Sequence, residues 1–248
     1  MAGRTYKTEA VVLRSFRLGE ADRVLHVYTL DRGRIGAVAK GIRRTKSRFG
    51  ARLEPLSHVE VLLHQGSGDL QTVTGVDLID AHRPAREDPY RLSVGLVGLE
   101  AMLRLFTEQE ANPRAFRALT RFLELLDALP APSDRKARAA LDPLGLSFQL
   151  KLLWLSGYLP HVESCAECGA EEGLFGYSPR AGGAVCRNCS DETTLSLAPE
   201  GLAGIAGLLR RPLAEAGALT PRAARDALAV INSSYEFHGG FRLRTLSA

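Results

Sequence analysis

Four cysteines, the only ones in the chain, stand as two pairs with the spacing Cys165-x2-Cys168-x17-Cys186-x2-Cys189. Two C-x2-C knuckles separated by 15 to 20 residues can present four sulfurs tetrahedrally to one zinc ion at about 2.3 Å. Two disulfides, an iron-sulfur cluster or metal-free thiols would use the same residues. The N-terminus leads into no signal-type apolar segment, which points to a reducing compartment and so to metal over disulfide. Four protein ligands close a zinc shell, so the expected site is structural, a single Zn²⁺ on Cys165, Cys168, Cys186 and Cys189. Gly169 follows the first pair, where a knuckle turn calls for a positive φ.

The chain's 248 residues exceed one ordinary module and suggest two domains. The longest apolar runs, such as Val94 to Leu99, fall far short of the roughly 18 residues of a membrane span. A soluble cytoplasmic protein is expected, with no membrane partner. Net charge is informative once divided: residues 1–80 hold 13 Lys+Arg against 9 Asp+Glu, whereas residues 81–248 hold 19 of each. The surplus concentrates further between Gly33 and Arg52, where Arg34, Lys40, Arg43, Arg44, Lys46, Arg48 and Arg52 occur without an acid. Seven cations in 20 positions repel one another unless an anion is expected.

The first third reads as strands. Glu9 to Phe16, Arg23 to Thr29, Ile35 to Ala39, Ser57 to His64 and Leu70 to Ile79 are rich in β-branched and aromatic residues and are separated by turn signals. Five strands over residues 1–81 match the size of an OB-fold barrel, which often grips single-stranded nucleic acid, with an SH3-like barrel as the structural rival. The period then changes to helical over 82–248. Asp88-Pro89, Asn112-Pro113, Ala198-Pro199 and Thr220-Pro221 mark helix starts, a further helical stretch runs roughly from Ser133 to Leu155, interrupted or started afresh near Asp142-Pro143, and the cysteine module at 161–197 reads as an insert. Trp154 and Tyr158, among leucines, read as core packing.

The acid-free run lies in the central connection of the expected barrel. Cations along a groove with an aromatic platform hold single strands without reading sequence. The DNA-binding candidates are therefore Arg14, Arg17, Arg34, Lys40, Arg43, Arg44, Lys46, Arg48, Phe49 and Arg52, with Phe49 either touching a base or anchoring the loop in the core. A solvated charged loop is the plain alternative. His161-Val-Glu163 before Cys165-x2-Cys168 superficially matches zinc-deaminase elements, but the residues are nearly contiguous and a second cysteine pair completes the shell. No H-E-x-x-H pair, phosphate-binding glycine loop or other catalytic constellation stands out, and no enzyme is expected.

Several segments together resemble the RecO family: Glu9-Ala-Val-Val-Leu-Arg14, Gly19-Glu20-Ala-Asp22-Arg23-Val24, Gly36-Ala-Val-Ala-Lys-Gly41 with Arg43-Arg44 and Ser47-Arg48-Phe49, Leu53-Glu54-Pro55, and Leu155-Ser-Gly157-Tyr158-Leu-Pro160 leading into the first cysteine pair. The resemblance implies an N-terminal OB-fold, a helical domain with a zinc insert and no enzymatic activity. It further implies binding of single- and double-stranded DNA, strand annealing, and partnership with RecR to load RecA onto strands coated by single-strand-binding protein, in the cytoplasm at the nucleoid. The reading from another class is a zinc-containing RNA-binding or ribosome-associated factor.

Overall fold

The computed structural model describes residues 4–47, 49–107, 109–130, 132, 137–158 and 160–246. They form two compact units, residues 1–128 and 129–248.

In the first unit five strands close into a barrel: β1 (Arg4–Leu18), β2 (Asp22–Thr29), β3 (Gly33–Ala39), β4 (His58–Gln65) and β5 (Gln71–Asp80), in the order β1-β2-β3-β5-β4. Closure depends on the length of β1. Its first half, Arg4 to Val11, pairs with β4, while Ala10 to Leu18 pairs with β2. The remaining seam is a short parallel pairing of Ala37 and Val38 with Gln71 and Thr72. Alternate residues point inward, as the period of two requires, so Ala10, Val12, Leu25, Val27, Ile35, Ala37, Val59, Val61, Leu63 and Val73 form one buried cluster. Ala10, Ala37 and Ala39 are too small to fill the interior, and Phe49 and Leu53, from the connection between β3 and β4, occupy it with them.

One irregularity decides what β1 presents to solvent. The β1–β2 register shifts between Val12 and Arg14, leaving Leu13 as a bulge. Val12 lies opposite Val27 of the core, and strict alternation would send Arg14 and Phe16 inward too. Beyond the bulge, however, Ser15 opposes the inward Leu25, so Arg14 and Phe16 fall on the outer surface.

Three helices share this unit: α1 (Arg83–Glu87), α2 (Pro89–Leu105) and α3 (Pro113–Asp127). Asp88 and Asn112 cap α2 and α3 through backbone N–H groups three residues on, each ahead of a proline at the first helical position. The helices cover part of the barrel exterior, with Phe106 edge-on to Tyr28 at 5.5 Å and Phe116 edge-on to His58 at 5.8 Å. The buried His82 fastens the junction. Its N–H donates to Asp80 at 2.7 Å, its Nδ1 meets Asp127 of α3 at 2.7 Å, and the other Asp127 oxygen accepts from the Ala85 N–H. The helical region expected over 82–248 is thus divided between the two units.

The second unit contains α4 (Pro143–Leu155), a three-stranded sheet of β6 (Leu174–Ser178), β7 (Gly183–Cys186) and β8 (Leu195–Ser196) in the order β7-β6-β8, then α5 (Pro199–Arg210) and α6 (Pro221–Gly239). Asp142 and Thr220 repeat the capped-proline start. Lys151 donates to the carbonyls of Leu208, Leu209 and Arg211, a cation set where the α5 dipole is negative. The sheet is tied to α6 by a buried contact of 2.8 Å between the Tyr177 hydroxyl and Ser234. Trp154 and Tyr158 depart from the expected core packing. Trp154 is 53% exposed and lines a groove of about 300 Å³ with Lys151, Pro160, His161 and Leu209. Tyr158 stacks on His238 at the surface, 4.6 Å between centroids. Among the described residues no helix is long and apolar enough to cross a membrane.

Candidate nucleic-acid interface and metal centre

The β3–β4 connection alternates anchors with cations. Gly41, at φ +68°, turns the chain out of β3, and its N–H donates to Asp22 at 2.7 Å. Ile42, Phe49, Leu53 and Leu56 are buried, while Lys40, Arg43, Arg44, Lys46 and Arg52 are exposed. Two ladder-like bonds, Leu56 N–H to Val12 O and Val12 N–H to Ser57 O, fasten the far end. A charged segment tied down every few residues by apolar side chains loses little further entropy when it takes a ligand.

Arg43 is held against the β1–β2 turn by donating to the carbonyls of Glu20 at 2.7 Å and Gly19 at 3.4 Å. These are neutral acceptors, so its charge is not cancelled. Among the described residues none of Arg14, Arg17, Lys40, Arg43, Arg44 or Lys46 forms an ion pair with a carboxylate. Arg23 differs: directly opposite Arg17 in the ladder, it turns to Glu54 at 3.1 Å and to Ser15. That ion pair relieves the cross-strand repulsion and leaves Arg17 as the solvated cation of the two.

Two candidates leave the set. Phe49 is 1% exposed inside the barrel, so it takes the anchoring alternative and offers no face to a base. Arg34 points outward beneath α2, where its guanidinium donates to the Leu103 carbonyl at 2.6 Å, so it braces strand to helix. Arg48 lies outside the described residues. The structure brings Arg17, Lys40, Arg43 and Arg44 to the end of the barrel around the β1–β2 turn, and puts Arg14 on the outer surface of the same strand. It adds two residues absent from that set. Phe16 stacks on His26 of β2 with centroids 5.7 Å apart and planes 29° apart, and the Arg14 guanidinium lies 5.9 Å from the Phe16 ring. The Leu13 bulge hides this arrangement from a period-two reading; the Arg-x-Phe spacing was its one sequence signal.

In the second unit one ligand atom from each of the four cysteines lies within 4.8 Å of every other, and Cys168 and Cys186 sulfurs are 3.8 Å apart. All four are free thiols. A tetrahedron with metal–sulfur bonds of about 2.3 Å has edges of about 3.8 Å, so the donor set fits a tetrahedral metal ion. The backbone is shaped for it. Gly169 has φ +78°, its N–H donates to Cys165 O at 2.8 Å, and the Cys186 N–H points at the Cys165 sulfur at 3.4 Å. Backbone N–H groups, first of Cys168 and then of Cys186, pull the Cys165 thiol down to about 6. The thiols of Cys186 and Cys168 push Cys189 up to about 12. Four thiols this close cannot all ionise without a cation between them.

A small closed barrel with exposed cations at one end, together with a helical unit bearing a four-thiol cluster, defines a two-unit protein with a candidate anion-binding surface and a candidate metal site. Comparison with known proteins resolves the class further. Residues 1–82 match the model for the N-terminal domain of recombination protein O, and residues 86–247 match the model for its C-terminal domain. Proteins named DNA repair protein RecO are similar along most of their length. That of Rubrobacter xylanophilus is 39% identical over 217 residues, covering 85% of this chain and 83% of the relative. That of Nocardioides sp. is 36% identical over 239 residues, covering 94% of each. That of Thermobifida fusca is 35% identical over 236 residues, covering 94% of this chain and 93% of the relative. The chain belongs to the RecO family.

Proposed function

We propose that this protein is a mediator of DNA repair and homologous recombination, working through an OB-fold barrel that grips DNA by its phosphates. The carrying observation is that Lys40, Arg43, Arg44 and Lys46 stay exposed and, among the described residues, without a carboxylate partner on a connection anchored by Ile42, Phe49 and Leu53. Each cation that meets a phosphate releases condensed counterions, which favours binding without reference to base sequence. Neutralised strands repel less, and a sequence-indifferent grip lets two of them search for register, which is the physical content of annealing. Both single- and double-stranded DNA are ligands of such a surface. Membership of the RecO family supports the further reading that the protein partners RecR in loading RecA onto strands coated by single-strand-binding protein. In the second unit Cys165, Cys168, Cys186 and Cys189 would hold zinc. When bound, the ion supplies the positive charge that lets four thiolates share one site, and the role of the cysteines is to fix the knuckle's fold.

The test is charge reversal at Lys40, Arg43 and Arg44 together, with affinity for a single-stranded oligonucleotide measured across salt concentrations. Single-strand binding loses roughly 0.7 of salt slope per phosphate contact, so the triple variant should flatten the slope by about 2. Affinity at low salt should fall at least about tenfold, and annealing should slow in step. Unchanged affinity and slope would refute the assignment.

A further inference from the structure

Around Phe16 the outer surface of β1 to β3 carries apolar and aromatic groups that barrel packing does not use. Phe16 is 42% exposed, Leu18 43% and Leu70 44%. In the ladder Phe16 opposes Val24, which opposes Val38, so one apolar row crosses three strands. In the neighbouring row Arg14 opposes His26, which opposes Gly36. A side chain at Gly36 would collide with Leu70, its Cβ coming within 2.7 Å of Leu70 Cδ2, so the glycine keeps this row low. Arg14 and Lys40 flank the patch as exposed cations. Of the acids nearby, Asp22 accepts from the Gly41 N–H, while Glu20 sits exposed at the turn.

We infer that this face is a stacking platform for the bases of a single strand, with Phe16, backed by His26, as the contact ring and Arg14 and Lys40 on the adjoining phosphates. The inference rests on the nucleic-acid reading above and deepens it by naming what separates single strands from duplex. Three features favour a base over an apolar protein segment as the occupant. The ring is already preorganised by a second π system, a guanidinium lies over it at 5.9 Å from the centroid, and the exposed cations Arg14 and Lys40 border the patch. Aromatic stacking is indifferent to sequence because every base has a π face. In a duplex the bases are stacked on one another and cannot reach the ring. Phosphate contacts alone serve both forms, whereas Phe16 serves single strands only.

The experiment uses the full chain with Phe16→Ala and Phe16→Trp, the latter in a Trp154→Phe background so that one indole reports. Probes are a mixed-sequence 30-nucleotide strand, the same strand with abasic sites, and its duplex. Phe16→Ala should weaken single-strand binding about 5- to 100-fold, the range for one stacked base, with an unchanged salt slope. Duplex and abasic affinities should change less than about twofold. Phe16→Trp should retain affinity, and its fluorescence should quench on adding the intact strand. Thermal unfolding should be close to wild type, since Phe16 lies outside the core. Equal loss on strand and duplex, or full single-strand affinity of Phe16→Ala, would overturn the platform. If the Lys40, Arg43 and Arg44 reversal still weakens binding in that case, phosphate recognition survives; if it does not, both readings fall.

Discussion

The β3–β4 connection and the cysteine module are both short segments organised around a charge problem, but the problems have opposite signs and opposite consequences for folding. The connection carries its cations exposed between buried Ile42, Phe49 and Leu53, so each charge stays in water, where salt screens a repulsion that a bound anion would relieve further. The module gathers four thiols within 4.8 Å, where a second and third ionisation are prohibitive unless a cation arrives. Anion binding at the barrel should therefore be separable from folding, and metal binding at the knuckle inseparable from it.

The sharpest way to break that contrast is to remove one sulfur. Cys186→Ser should lose tight zinc binding and unfold the β6–β8 sheet locally, a loss on the order of several kcal/mol given what structural zinc contributes to small modules. Single-strand affinity should stay within about threefold, because the cations lie in the other unit. Metal analysis, hydrogen exchange across β6 and β7, and oligonucleotide titration measure all three. A folded variant that loses DNA binding as strongly as zinc would move the DNA site onto the knuckle.

Next in size comes Phe49→Ala. As a core anchor, Phe49 should lose about 3–5 kcal/mol of stability on truncation, read from denaturant unfolding of the first unit. DNA binding should fall only as far as the loosened connection allows. A variant with wild-type stability and greatly weakened single-strand binding would restore Phe49 as a base contact. Smaller again is the Lys40, Arg43 and Arg44 reversal, expected to change affinity and salt slope while leaving unfolding nearly untouched.

These cases show where a sequence can be read and where it cannot. The four cysteines were legible because metal ligation fixes residue type and spacing at once. The capped prolines behind Asp88, Asn112 and Thr220 were legible because a helix start uses a local bond that needs no tertiary context, whereas at Asp142 an interrupted helix and one begun afresh read alike. The cations were legible as a group but not one by one. Arg34 is an outward residue of β3 and Lys40 follows the strand's last residue, yet only the packing of α2 distinguishes the brace from the solvated charge. Phe16 was hidden by a bulge, since one inserted residue reverses the facing of everything after it on that strand. Trp154 reads as core by composition alone, and its exposure depends on which helices cover α4, a long-range fact.

The smallest expected effect concerns acid, which acts on both units and must be apportioned between them. At the knuckle, protons would compete with a bound metal ion for the thiolates, so lowering the pH should release it. The barrel unit has a titrating group of its own. Burial lowers the basicity of His58, against which Glu9 at 3.3 Å acts as a weaker opposing influence. In the unfolded chain the same histidine titrates near about 6.5. Between that value and its lower folded one the unfolded chain binds more protons, so this contribution is fully present above about pH 6.5 and declines as the pH falls below it. His58→Gln can still reach Glu9 but carries no titrating proton. Hydrogen exchange of the β1 and β4 amides between about pH 7.5 and 5.5, scaled for intrinsic exchange, should show a modest loss of protection in the wild type and a flatter profile in the variant. Protection of the β6–β7 amides should fall equally in both, because that loss tracks the metal. If His58→Gln follows the wild-type profile along β1 and β4, acid sensitivity of the barrel originates elsewhere, and the two units respond to protons less independently than they respond to ligands.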